Sequence, residues 1–276
     1  MTQLAQLYES KNLGELMLKL SSEDVCRSYM EEMRWGNNPV CPHCGAPNPY
    51  RLRDGKKFRC KSKTCKRNFT VTVGTVFENS KIELRIWIAA GYLLSAHKKG
   101  ISSHQLSRDL GITQKSAWFV LQRLRLIMGE PNPEPLQNVV EIDETYIGGR
   151  LANMNRKKRK AIVDAGTDNK IPVMGLVQRD GKARLTVIGK NSFKDVVRLN
   201  VDKSATIATD SHLSYQGLDQ EFAAHGTVNH TINEFRNGIF YTNSVEGFFS
   251  LFKRTIFGTY HQISPKHLHR ACPIFS

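Results

Sequence analysis

The sequence predicts a mixed α/β protein in which an α/β core follows a small metal-stabilised module and a helical segment. Three observations predict it. Four cysteines stand near the N-terminus in two closely spaced pairs. Residues 81–128 carry apolar side chains at helical spacing. From residue 138 the pattern changes to short apolar runs in the order β-β-β-α-β-α-β-α. A chain of 276 residues has room for more than one domain, and the expected divisions are 1–36, 37–78, 81–129 and 138–276.

Composition narrows the function classes. Forty Lys and Arg against 25 Asp and Glu leave a formal charge of +15, which points to a polyanionic partner, DNA or RNA first. No apolar run reaches the roughly 18 residues of a membrane span. The start, MTQLAQLYESKN, lacks the basic and apolar regions of a signal peptide. The expectation is a cytoplasmic protein, associated with the nucleoid and not with a membrane.

The first module is read from CPHCGAPNPYRLRDGKKFRCKSKTC. Cys41 and Cys44 lie three positions apart, and Cys60 and Cys65 follow after 15 intervening residues. Two such pairs make a closed tetrahedral thiolate site, the way structural Zn²⁺ is held in a zinc ribbon. Tyr50-Arg51-Leu52 and Lys57-Phe58-Arg59 flank the turn residues Asp54-Gly55 as a hairpin would, and 68–77 reads as a further strand. His43 is the rival ligand, but four cysteines already fill the site; Cys26 and Cys272 read as ordinary thiols. Arg51, Arg53, Lys56, Lys57, Arg59, Lys61, Lys63, Lys66 and Arg67 make the ribbon basic, for phosphate contact or as a solvated face. Upstream, 14–34 reads as one helix capping the ribbon, with Ser21-Ser22-Glu23-Asp24 resembling a capping box.

In the helical segment, Ile82, Ile86, Ala89, Ala90 and Leu93 form an apolar stripe ending near Lys99-Gly100. Ser102 or Ser103 then caps a short helix to Leu110, Gly111 supplies a turn, and Thr113 caps a helix to about Met128. This is the layout of a helix-turn-helix, whose second helix enters the DNA major groove; a helical hairpin without DNA function would share it. Gln114, Lys115, Ser116 and Trp118 would face the groove, with Arg123 and Arg125 toward the helix end. The Pro-rich stretch 130–135 reads as a linker.

The core strands are NVVEIDETYIG, KIPVMGLVQ, KARLTVIG and ATIATD, with SFKDVVRLNV a helix before the fourth. HLSYQGL and EFAAHGTVNH read as a short helix and a fifth strand, and a long helix starts near Asn243. That order is the order of a ribonuclease H-like fold, in which the first strand, the fourth strand and a late helix each bring a carboxylate to the sheet. Here these are Asp143, Asp210 and Glu246. Carboxylates on separate elements can converge on hard divalent cations, and a pair of such cations can activate an attacking oxygen and stabilise a leaving one. Lys253, seven residues after Glu246, points the same way after two helical turns and can hold a phosphate. Alternation along the strand lets only one of Asp143 and Glu144 face the site, and the apolar neighbours favour Asp143. Asn243 reads as a helix cap or a metal contact. Arg156-Lys157-Lys158-Arg159-Lys160 reads as a basic loop. His225, His230 and His261 are unranked candidates for contact with the site or DNA.

With these strings in view, the chain resembles bacterial insertion-sequence transposases of the D-D-E class, in the ISXO-like branch with an N-terminal zinc ribbon. The resemblance covers about residues 15–270 and rests on CPHCG with the later cysteine pair, EIDETYIGG, TDSHLSY, and TNSVEGFFSLFKRTIFGTYH followed by SPKHLHR. It implies two Mg²⁺ ions held by Asp143, Asp210 and Glu246, with Lys253 as the basic residue accompanying the triad. It implies cleavage at the element's ends and attack by the freed 3′-hydroxyl on target DNA. The ribbon and helix-turn-helix would recognise the terminal inverted repeats, and bringing two ends together implies a homo-oligomer on DNA. After HLHR the chain ends in ACPIFS instead of the family's aromatic-rich stretch, which implies truncation or a frameshift and a weakened fold or activity. Two rival readings remain: a catalytically decayed DNA-binding protein, and a ribonuclease H-like nuclease that only hydrolyses.

Overall fold

The computed structural model describes residues 10–36, 38–129, 133–149, 151–164, 170–189, 192–228 and 236–272. Its contacts divide the chain into two compact units, Met1–Ile127 and Met128–Ser276.

The first unit opens with two helices where the periodicity predicts one, α1 (Leu13–Lys19) and α2 (Glu23–Trp35). The Asn12 side chain accepts from Glu15 N at 2.9 Å and caps α1. Ser22 accepts from Val25 N at 3.3 Å and caps α2. Ser22 is extended, with φ −148° and ψ 160°, a geometry that begins a helix and cannot continue one. The residue three beyond is Val25, so the cap is single and no capping box forms. Leu16, Leu20 and Cys26 enter one core with Val71 and Leu84, which is why the apolar spacing runs unbroken across the interruption.

Three two-residue strands follow: β1 (Tyr50–Arg51), β2 (Phe58–Arg59) and β3 (Asn68–Phe69), antiparallel in that order. The strand expected over 68–77 stops at Phe69, and residues 71–79 wind through successive turns. The small core holds Cys41, Phe58, Cys60 and Phe69. Trp35 of α2 meets the Phe58 and Phe69 rings edge-on, at 5.4 and 6.1 Å. The N-terminal helices thus bridge this module to α3 (Leu84–Ala96), beyond the capping role expected of them.

After α3 come α4 (Ser103–Leu110) and α5 (Gln114–Met128). Ser102 caps α4 through Gln105 N, and Gly111 turns the chain in the left-handed conformation at φ 63°, which glycine adopts without strain. Thr113 Oγ1 accepts from Ser116 N at 3.2 Å and starts α5. Leu106, Ala117, Val120, Leu121 and Leu124 are buried between these helices and their neighbours. Among the described residues no helix is long and apolar enough to cross a membrane.

The second unit is built on a five-stranded sheet of order β6-β5-β4-β7-β8. The strands are β4 (Val139–Ile147), β5 (Ile171–Gln178), β6 (Ala183–Val187), β7 (Thr206–Asp210) and β8 (Ala224–Val228). β4, β5 and β6 form an antiparallel meander, while β7 and β8 add parallel to β4. The turn into β6 places Asp180 at φ 56°, a left-handed position Asp tolerates. On one face α7 (Phe193–Asn200), started by a Ser192–Asp195 capping box, covers Val140, Ile142, Met174, Leu176 and Ile207. On the other, α8 (Asn243–Thr255), its π-helical extension Ile256–Tyr260 and α9 (Pro265–Leu268) cover Ile147, Val173 and Leu185. Between β4 and β5 lies α6 (Arg156–Asp164). The basic run expected in a loop is therefore helical, its first turn bonded by Lys157 N to Asn155 Oδ1 at 2.9 Å.

Candidate active site and zinc site

The thiols of Cys41, Cys44, Cys60 and Cys65 all lie within 4.8 Å of one another. Cys41 and Cys65 sulfurs are 3.9 Å apart and those of Cys44 and Cys60 3.5 Å. A tetrahedron of sulfurs at the Zn–S distance of about 2.3 Å has edges of about 3.8 Å, so the spacing fits structural zinc. His43 is not among the clustered ligands, and its ring lies edge-on to Phe69 at 6.5 Å. Cys26 and Cys272 are buried and their thiols are pushed up, to about 11 and about 12, by burial, which leaves them unreactive.

The acidic site forms where β4, β7 and α8 meet. β4 and β7 pair as far as Glu141↔Ala208; continuing that register by two residues brings Asp143 abreast of Asp210, the last residue of β7. On its other side Asp143 pairs with Gly175 of β5. A Cβ on Gly175 would stand 2.7 Å from Phe249 and 2.8 Å from Val245, so the glycine is what lets α8 lie close to the sheet here. α8 carries Glu246 in its first turn. The Asp143 carboxyl is pushed up to about 6, first by burial and then by the negative charges of Glu144, Asp210 and Glu246, against the N–H of Glu144 that donates to it at 2.8 Å. Among the described residues only the four cysteines cluster tightly enough to enclose an ion; the acids interact through their charges, and a cation between them would relieve that repulsion.

Glu144 obeys the strand alternation expected of it. It projects to the opposite face, where the buried Tyr215 hydroxyl donates to Glu144 Oε2 at 2.5 Å. Burial raises its carboxyl, and Asp210 raises it further. Both members of the Asp143-Glu144 pair thus feel Asp210. Lys253 is exposed, its ammonium 6.0 Å from the centre of the Phe249 ring one turn back on α8.

Sequence reasoning missed Glu141. Its carboxylate is wholly buried and accepts from Ser244 N at 2.7 Å and Val245 N at 3.2 Å. Arg179 Nε donates to it at 2.8 Å. The start of α8 is therefore capped by a strand residue, whereas Asn243, the expected cap, is an exposed first-turn residue and the side chain of the N-cap Thr242 does not cap the helix. A glutamate at an alternate position to Asp143 in an apolar strand was the one sequence signal available.

The remaining candidates divide. Gln114, Lys115 and Trp118 are exposed on α5, Gln114 bonding Ser103 at 2.9 Å. Arg123 is not presented with them: it donates to the Val76 and Glu78 carbonyls at 2.6 and 2.7 Å and lies over Phe119. Arg125 is buried. Both were expected on a groove-facing surface, and both instead fix the helix in its own unit or lie inside it. His225 Nε2 bonds Thr209 Oγ1 at 2.9 Å and its ring pKa is lowered by burial. His261 is exposed at φ 58° beyond the π-helical turns. His230 and residues 130–132 of the expected linker lie outside the described residues.

A four-thiolate module ahead of an α/β domain whose central strands carry the half-buried Asp143 and Asp210 defines a two-part, zinc-ribbon-bearing protein. The ISXO2-like transposase domain matches residues 135–270, and the transposase zinc-ribbon domain matches residues 21–68. An uncharacterized protein in transposable element ISH50 of Halobacterium salinarum is 29% identical over 246 residues, covering 84% of this chain and 83% of its own. The chain belongs to the ISXO2-like transposases that carry an N-terminal zinc ribbon.

Proposed function

We propose that the protein binds the terminal inverted repeats of an insertion sequence and carries out metal-dependent strand cleavage and strand transfer at Asp143, Asp210 and Glu246. The observation that carries this reading is the half-buried Asp143 carboxyl, whose ionisation is opposed by burial and by the charges of Asp210 and Glu246. The sheet order β6-β5-β4-β7-β8, with three antiparallel and two parallel strands, supports a ribonuclease H-like core. Bound to the three carboxylates, two Mg²⁺ ions would supply Lewis acidity toward the attacking and leaving oxygens of a phosphodiester. Asp143 and Asp210 hold their carboxylates abreast on neighbouring strands, and Glu246 closes the set from the helix. Lys253 reaches from the same face of α8 toward a DNA phosphate. The α4-turn-α5 segment serves as a helix-turn-helix with Lys115 and Trp118 toward the groove, and the basic ribbon and α6 hold backbone phosphates. Joining two ends to a target calls for a homo-oligomer on DNA.

The test incubates purified protein with DNA carrying the element's ends, with and without Mg²⁺, beside Asp143→Ala. Mg²⁺-dependent nicking and joined strand-transfer products are expected from the parent protein alone. Equal DNA binding with no cleavage by the parent would make it a decayed DNA-binding protein, and cleavage without joined products would make it a hydrolytic nuclease.

A further inference from the structure

Glu141 stands two residues before Asp143 on β4, so the two side chains leave the same face of the strand. Its buried carboxylate receives four hydrogen bonds. Arg179 Nε and Ser244 Oγ donate to Oε1 at 2.8 and 3.0 Å, and the Ser244 and Val245 amides donate to Oε2 at 2.7 and 3.2 Å. Arg179 in turn donates to the carbonyls of Ile239 at 2.7 Å and Tyr241 at 3.2 Å, with its guanidinium 3.5 Å from the centre of the Tyr241 ring. The chain entering α8 is therefore fastened through one carboxylate–guanidinium pair to the strand that carries Asp143. Glu246 follows Ser244 by two residues, about 3 Å of helical rise.

We propose that Glu141 is a positioning residue that fixes the first turn of α8 to β4 and so sets where Glu246 stands relative to Asp143. The proposal rests on the reading of Asp143, Asp210 and Glu246 as cation ligands. Two adjacent amides converging on one buried oxygen restrict both the rotation of the helix about its axis and its slide along the sheet. A local cap from Thr242 or Asn243 would travel with the helix and restrict neither. Because Glu141 and Asp143 share one rigid strand, the constraint is transmitted over two residues of backbone and needs no intervening side chain. Groups that orient metal ligands in this way govern cation affinity by about 10- to 100-fold.

The experiment uses the full chain as wild type, Glu141→Asp, Glu141→Gln and Asp143→Asn. Mn²⁺ binding is followed by calorimetry, Mg²⁺ is titrated in the cleavage assay, and folding is checked by circular dichroism. Glu141→Asp keeps the charge but shortens the reach. It is expected to fold, to bind DNA as wild type does, and to lose about tenfold or more in Mn²⁺ affinity. Its half-maximal Mg²⁺ should rise by a similar factor. Asp143→Asn is expected to lose cation binding and cleavage in every background. Folded Glu141 variants with wild-type Mn²⁺ affinity and Mg²⁺ dependence overturn the positioning role alone, since an inactive Asp143→Asn still upholds the site. Wild-type protein that binds no Mn²⁺ overturns both. If neither Glu141 variant folds, Ser244→Ala, which removes only the hydroxyl bond, carries the test. A smaller shift in the same direction supports the proposal, and an unchanged titration overturns it.

Discussion

Asp143 pays in stability for its position. Its carboxyl is pushed up from 3.8 to about 6, chiefly by burial and then by Glu144, Asp210 and Glu246. The folded protein, without divalent cations, therefore holds a proton there that the unfolded chain has already released. Stability accordingly falls as pH rises from about 4 to about 6 and stays at its lower level above that window. A shift of about two units corresponds to about 3 kcal/mol at most. Asp143→Asn removes the ionisation and with it the penalty. In buffer free of Mg²⁺ and Mn²⁺ at about pH 7, with the ribbon zinc retained, the variant should be more stable than wild type by about 1–3 kcal/mol, the difference closing toward pH 4. Urea unfolding at the two pH values checks this, and equal stabilities at pH 7 would show that neither burial nor the neighbouring acids oppose its ionisation. The local context of Asp143, Asp210 and Glu246 was legible because a strand run or an amphipathic helix is written in adjacent residues. Glu141 was not, since its partners lie 38 residues away at Arg179 and 103 away at Ser244.

At the scale of elements, the approach of α8 to the sheet depends on a missing side chain. Gly175 pairs with Asp143 and faces Val245 and Phe249, with no room for a methyl group. Gly175→Ala should destabilise the protein by about 1–3 kcal/mol through overpacking and depress metal-dependent cleavage by lifting Glu246 from the aspartates. Urea midpoints and cleavage rates measure the two effects. An unchanged midpoint would mean that the Phe249 ring turns aside and the contact does not hold the helix. The five strands of the second unit were legible because each apolar run is bounded by turn residues such as Arg179-Asp180-Gly181. Other elements were not. The division between α1 and α2 is hidden because Leu16, Leu20 and Cys26 share one core across it. The α6 helix is hidden because a run of five cations carries no apolar period to read. Arg123 looked like a DNA contact because helical position alone does not reveal the Val76 and Glu78 carbonyls it binds.

For the whole molecule, the charge is divided unevenly. Residues 1–127 hold 21 Lys and Arg against 10 Asp and Glu, a net +11, whereas residues 128–276 hold 19 against 15, a net +4. The excess belongs to the unit that does not carry Asp143, Asp210 and Glu246. Phosphate binding releases counterions, so the salt dependence of DNA affinity counts the cations engaged, at about 0.9 in the log–log slope per phosphate contact. The ribbon is the densest source: all nine of its basic side chains from Arg51 to Arg67 are exposed. Arg51 is tied to Glu31 and Lys61 lies over Tyr50, so these two are partly committed within the fold. Replacing Lys56, Lys57, Lys63 and Lys66 together by Gln should lower the slope by about 2–4 and weaken binding to unrelated DNA about as much as to the element's ends. Neutralising the α6 cations should change the slope less if the ribbon is the main backbone contact. Fluorescence anisotropy between about 50 and 200 mM salt separates the cases. An unchanged slope in the ribbon variant would make that face merely solvated and move the phosphate contacts to α5 and α6.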